Sequence, residues 1–184
     1  PPGMPGHSPG IALPFDPPRA RQLLADAGYP GGRGFPVLET VTTAGQSPTV
    51  EHLQSQWRQH LAVEMSWQQV DSATFWQRIE TDQPPLVVGG WAADYPDPDC
   101  FLQVGLYWNR YGWQHAGFEE LVESARQTMD QGERLHLLQQ ADKIMVEEAP
   151  IVPLTYARGH TLVKPWVRNL YLGSTLRDVI IEPH

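Results

Sequence analysis

The chain has little cysteine, little basic charge and no long hydrophobic run, and each shortage excludes a class of protein. Its 184 residues include one cysteine, Cys100, so an internal disulfide is impossible. Lysine and arginine total 13 against 21 for aspartate and glutamate, giving a formal charge of −8. That charge argues against nucleic acid or an anionic membrane as the main partner. No stretch approaches about 18 consecutive apolar residues, so we expect no membrane-spanning segment.

The common enzyme and cofactor motifs are also missing. The sequence has no Gly-x-x-x-x-Gly-Lys-Ser/Thr phosphate loop, and the glycines within 31–34 lack the spacing of a dinucleotide loop. There is no Gly-x-Ser-x-Gly nucleophile elbow, and the seven histidines include no His-x-x-x-His pair. We therefore expect no catalysis, no cofactor and no metal ion.

Proline and glycine, by contrast, are abundant, with 18 and 16 residues. Residues 1–14 are especially rich in both and show no helical or strand period, so we predict a linker there. The length of 184 residues fits one domain comfortably or two very small ones, and an apolar content of 41% allows a real core, which we expect within residues 15–184. The chain begins with proline and without a basic-then-apolar leader, which indicates a processed product or an excised part of a larger protein.

The hydrophobic pattern alternates between helical and strand periods. It predicts helices over residues 16–27, 49–61, 71–79, 118–129 and 130–150. It predicts strands over 37–43, 63–68, 86–91, 151–156, 161–163 and 179–181. Phe118 and Met129 are predicted to share the buried face of one late helix, and Asp130 to cap the next. After a first helix the order is βαβαβ, two helices and short strands, which indicates an α/β domain with a mixed sheet.

The run from Gly89 to Asp99, Gly-Gly-Trp-Ala-Ala-Asp-Tyr-Pro-Asp-Pro-Asp, is the strongest functional signal. It follows the apolar strand at 86–88, and acids and aromatics on such a rigid turn are suited to ligand binding. Asp94 lies beside Trp91 and Tyr95, where we expect a partly desolvated carboxylate that pairs with a cation. Asp97 and Asp99 are better explained as caps of backbone amides. The prolines at 96 and 98 argue against a calcium loop.

Seven tryptophans are many for this length. Trp57 and Trp67 fit the apolar faces of a predicted helix and strand, so we expect them in the core. Trp91 and Trp108 lie in or just after the acidic turn and are candidates for the walls of a ligand pocket. Arg110 either meets a ligand carboxylate or balances the acids of the turn.

Trp91-x-x-Asp94-Tyr95 followed by Pro-Asp-Pro-Asp resembles the ligand-lobe signature of family 5 extracellular solute-binding proteins. These are the peptide-, dipeptide- and nickel-type receptors of ABC importers. Cys100 stands where this family commonly has asparagine, and Asn169 where it usually has glycine. Further blocks resemble the family in the right order: Phe15–Pro30, Phe118–Arg134, Glu147–Leu154 and Lys164–Leu170.

The resemblance implies a lobe of a two-lobed, type II periplasmic-binding-protein-like fold. Residues 15–184 resemble the C-terminal lobe alone, so the N-terminal lobe of the same protein and an ABC permease become expected partners. The resemblance implies an extracytoplasmic location, either periplasmic or lipid-anchored at the cell surface. In peptide-binding members the acid that matches Asp94 holds the ligand's α-ammonium, and Trp91 would pack along the ligand.

Two other functions remain open from the sequence. A sensor or regulatory domain with the receptor fold would dock to a partner protein instead of delivering a solute. An acid–base hydrolase using Asp94 and Asp97 is a more distant alternative. The ligand class is open among peptides, nickel complexes and sugars, although a lone acid among aromatics favours a cationic amine.

Overall fold

The computed structural model describes residues 2–90, 92–107, 112–156, 160–170 and 179–183. The chain divides into two compact units, Pro1–Val152 and Pro153–His184. The acidic turn and most of the helices and strands belong to the first unit.

The first unit alternates helices and strands before ending in helices. Its strands are β1 Leu38–Thr42, β2 Met65–Gln69 and β3 Leu86–Val87. Its α-helices are α1 Pro17–Asp26, α2 Ser47–Leu61, α3 Ser72–Thr81, α4 Pro98–Tyr107, α5 Ala116–Gln127 and α6 Gln131–Glu148.

The three strands form a parallel sheet in the order β2-β1-β3. Leu38 pairs with Met65 and Thr40 with Leu86. Because side chains alternate across a strand, the sheet has two apolar faces. On one face α2 packs through Val50, and on the other α3 packs through Phe75. The sheet is therefore covered on both sides, as expected of a parallel α/β layer.

Helices α4, α5 and α6 enclose a second core. Phe118 and Val122 of α5 and Leu138 of α6 are almost completely buried. Leu102 of α4 joins the same cluster, so the helix that follows the acidic turn is fixed to the α5–α6 pair. The proline-rich start of the chain also touches this group, since a Cβ on Gly6 would meet the side chains of Pro98 and Leu135.

The second unit contains a two-stranded antiparallel ribbon. Its strands are β4 Val167–Arg168 and β5 Ile180–Ile181. Arg168 and Glu182 form an exposed ion pair with N and O atoms 3.1 Å apart. Asn169 has a left-handed φ of 59°, a conformation that glycine adopts freely and asparagine tolerates better than most residues. This explains how asparagine replaces the glycine usual at this position.

The structure confirms the βαβαβ order and corrects several details. Residues 151–156 and 161–163 form no strand, because no neighbouring described strand pairs with them. The α/β class is confirmed, and within the described residues the parallel pairs lie in one sheet and the antiparallel pair in another. Met129 is 97% exposed, because α5 ends at Gln127 and Thr128 is extended. Helix α4 was not predicted: it begins at Pro98, within the run interpreted as a turn, and continues to Tyr107.

Candidate functional site

The acidic turn leaves the sheet at the carboxyl end of β3. The sheet order places β2 and β3 on opposite sides of β1. The loops after β1 and β3 therefore start from neighbouring strands, and they lead to different helices, α2 and α4. Ligand crevices of open α/β sheets form at such switch points. The two loops lie close together, since a Cβ on Gly90 would be 3.3 Å from Nε2 of Gln46.

Asp97 ends the turn and begins α4. Its Oδ1 accepts a hydrogen bond from the backbone N–H of Asp99 at 2.9 Å, and its backbone carbonyl accepts one from Cys100 at 3.1 Å. Pro98 occupies the first helical position, where the lack of an N–H costs nothing. The expectation that Asp97 caps a backbone amide is therefore confirmed.

Two arginines from the helical pair neutralise the later acids of the turn. Arg134 of α6 binds Asp97 through two nitrogens, with Nη1–Oδ2 at 3.0 Å and Nη2–Oδ1 at 2.6 Å. Arg126 of α5 donates from Nε to Oδ1 of Asp99 at 3.1 Å. A bidentate contact such as that between Arg134 and Asp97 fixes both the distance and the orientation of the two side chains. Asp97 and Asp99 thus each have a cationic partner among the described residues.

Tyr95 belongs to the same hydrogen-bond network. Its hydroxyl donates to Oδ2 of Asp99 at 3.0 Å, and Nε2 of Gln103 donates both to that oxygen at 2.7 Å and to the Tyr95 hydroxyl at 2.6 Å. Tyr95 is 41% exposed, so its ring remains accessible although its hydroxyl is engaged in hydrogen bonds. Asp99 itself is buried.

The pKa values of this network follow from its contacts. The hydrogen bonds from Arg134 lower the pKa of Asp97, and the same contacts raise the pKa of Arg134. The pKa of Tyr95 is raised, mainly by partial desolvation and to a smaller extent by the hydrogen bond to the Asp99 carboxylate. At neutral pH the Asp97–Arg134 pair is charged on both sides.

Asp94 differs from the other two acids of the turn. It is exposed and makes no hydrogen bond or ion pair with another described residue. Partial desolvation was expected for Asp94, but this residue and the two that follow it are all exposed. Its carboxylate is therefore accessible to a ligand. Trp91, Trp108 and Arg110 lie outside the described residues, so their roles stay predictions.

Two cavities of about 280 Å³ lie elsewhere in the first unit. One is lined by Glu39, Arg78 and Pro85, near the edge of the sheet where β3 begins. The other lies between the proline-rich start of the chain and α6. Neither is lined by residues of the acidic turn. Within the described ranges, no three His, Cys, Asp or Glu residues are grouped to hold a metal ion. No described helix is long and apolar enough to cross a membrane.

The contacts that Arg126, Arg134 and Gln103 make with the acids of the turn were not predicted from the sequence. The two arginines were visible as members of the blocks that resemble the family, but nothing in their spacing linked them to the turn. The available signal was charge, because three carboxylates within six residues favour a nearby cationic partner or ligand.

Comparison with known proteins agrees with this architecture. Residues 1–113 match the family model for bacterial extracellular solute-binding proteins, family 5, in its middle portion. The fold is that of a lobe of a two-lobed, periplasmic-binding-protein-like protein. The chain belongs to family 5 of the bacterial extracellular solute-binding proteins.

Relatives and solved structures share the whole length of this chain or most of it. Di/tripeptide-binding protein 4 of Pseudomonas aeruginosa is 31% identical over 201 residues, covering 100% of the chain and 37% of the relative. OppA of Burkholderia pseudomallei superposes with a TM-score of 0.83 at 25% identity, covering 100% of the chain and 39% of that structure. DppA of Helicobacter pylori, solved with the peptide STSA, gives a TM-score of 0.70 at 26% identity, with 84% and 31% covered. The chain spans about a third of the length of the relatives it matches.

Proposed function

We propose that residues 15–184 form the C-terminal lobe of an extracytoplasmic solute receptor that delivers peptides to an ABC importer. In this proposal residues 1–14 are a linker, and the N-terminal lobe of the same protein completes the binding site. The receptor works in the periplasm or from a lipid anchor at the cell surface, and it binds its solute without chemical conversion. Support comes from the family and from relatives whose names specify di- and tripeptides or a bound peptide.

The observation that carries the proposal is that the three acids of the acidic turn differ in whether they have a partner among the described residues. Asp97 and Asp99 are held by Arg134 and Arg126, while Asp94 is exposed and has no described partner. A carboxylate in this position suits a ligand ammonium group, because charge-assisted hydrogen bonds are the stronger ones. Closure of a second lobe over the turn would remove water and strengthen the contact.

The remaining candidate residues have complementary roles in this proposal. Asp94 holds the α-ammonium group of the peptide, and Trp91 packs along its backbone. The exposed ring of Tyr95 and the indole of Trp108 add apolar walls, as ligand pockets combine many apolar contacts with few polar anchors. Arg110 is left to meet the ligand carboxylate, because arginines from α5 and α6 already bind the later acids of the turn.

Native mass spectrometry of the complete receptor, purified gently from its source, tests this function. We expect a co-purifying peptide of two or a few residues, and displacement by added peptides of similar length. A receptor that stays empty, and that ignores peptide, nickel and sugar panels, would refute the proposal. That result would favour the sensor alternative, in which the lobe docks to a partner protein.

A further inference from the structure

We infer that Arg134, assisted by Arg126, is a positioning residue for ligand binding, because it fixes the turn that presents Asp94. The inference rests on the proposed function and concerns the same site. It gives these arginines an effect on ligand selectivity, beyond the stability that any ion pair contributes.

A short path of hydrogen bonds connects Arg134 to the backbone beside Asp94. The guanidinium holds both carboxylate oxygens of Asp97. The backbone N–H of Asp97 donates to the carbonyl of Tyr95 at 2.9 Å, and Tyr95 directly follows Asp94. Two interactions thus separate the guanidinium from the backbone carbonyl of Tyr95, the residue that follows the anchor. A change in the Asp97 carboxylate therefore alters the conformation of the turn close to Asp94.

The other end of this path is rigid. Arg134 lies in the first turns of α6, which is anchored by the buried Leu138 and Ala141. Its side chain is 19% exposed, so surrounding groups restrict its conformations. Arg126 binds Asp99 from the neighbouring helix, whose Phe118 is fully buried in the same core. The helical pair therefore acts as a fixed support for an otherwise exposed turn.

The arrangement also determines how many charges the turn offers to a ligand. Without the two arginines, three carboxylates would be available within six residues, a pattern that attracts divalent cations or polyamines. With them, Asp97 and Asp99 are neutralised and a single carboxylate remains accessible. One such acid matches one ammonium group.

The experiment compares two ligands in the complete receptor: a tripeptide with a free α-ammonium group and the same peptide with an acetylated N-terminus. The variants are Arg134→Gln, which removes the charge, and Arg134→Lys, which keeps the charge but loses the fork. Arg78→Gln is the matched control. It breaks a more exposed ion pair, with Asp82, which precedes β3 and thus lies away from the edge that carries the acidic turn.

We expect Arg134→Gln to weaken binding of the free peptide about tenfold while the acetylated peptide changes less than about twofold. Arg134→Lys should show a smaller loss with the same selectivity. Arg78→Gln should leave both affinities unchanged. If Arg134→Gln does not fold, the ratio of affinities in Arg134→Lys decides the matter, with thermal unfolding confirming that this variant is native.

Equal weakening of both peptides, or an unchanged ratio in a folded variant, would overturn the positioning role and leave the proposed function intact. A wild-type receptor that binds neither peptide would instead refute the proposed function, and the inference would fall with it.

Discussion

Replacing Phe118 with alanine tests the helical core that supports the acidic turn. Phe118 is fully buried, packs with Val122 and Leu138, and meets the ring of Trp113 edge-on with centroids 5.1 Å apart. A large-to-small change at such a position loses both transfer free energy and packing, at about 3 to 5 kcal/mol. We therefore expect Phe118→Ala to lower the melting temperature by about 10 °C, given about 2 to 4 °C per kcal/mol at this size.

Met129→Ala is the matched control, because the hydrophobic pattern placed Met129 on the same buried face while the structure exposes it. We expect its unfolding free energy to stay within about 0.5 kcal/mol of the parent. Thermal and urea unfolding, both followed by circular dichroism, measure the melting temperature and the unfolding free energy of each variant. Comparable losses in the two variants, or a loss below about 1 kcal/mol for Phe118→Ala, would contradict the packing described here.

Three further predictions concern backbone strain and pH. Gly32→Ala should destabilise the protein by more than about 1 kcal/mol, since φ is +74° and a Cβ would lie 2.5 Å from the carbonyl oxygen of Leu61; an unchanged urea midpoint would refute this. Ala62→Gly should stabilise it by about 0.5 to 1 kcal/mol, because Ala62 ends α2 with φ of +53°, and a lower midpoint would count against that assignment. Because Arg134 lowers the pKa of Asp97 in the folded state, the pair contributes its full stability above the unfolded pKa of about 4 and loses it as pH falls through the lowered value. Asp97→Asn should therefore flatten the acid side of the stability–pH curve, and an unaltered slope there would argue that the pair is not formed in solution.

The local elements were predictable because their signals lie within short windows. Asp16-Pro17 marked the start of α1, and Asp130 marked the start of α6. Asp97-Pro98 carries the same helix-start signal, but an aspartate before a proline also favours a turn, and the turn was the interpretation chosen. The apolar run at 151–156 suggested a strand, but a strand also needs a partner, and that information is not local.

The candidate site was predictable only in part. The acids and aromatics marked the turn, and the apolar run before it indicated that it would follow a buried strand. Which acid remains available depended on Arg126 and Arg134, which follow Asp99 and Asp97 by 27 and 37 residues. Such pairings arise from the packing of α4 against α5 and α6, and no periodicity reveals them.

The most direct test of the central claim is the affinity of the complete receptor for one tripeptide with and without Asp94→Asn, measured by isothermal titration calorimetry. Losing a charge-assisted hydrogen bond should cost about 2 kcal/mol, or about thirtyfold in Kd. Asp82→Asn, at an exposed acid already paired with Arg78, is the control and should leave Kd unchanged. A thirtyfold loss confined to Asp94→Asn is the result we predict, whereas equal affinity in wild type and Asp94→Asn would contradict the assignment of Asp94 as the ligand anchor.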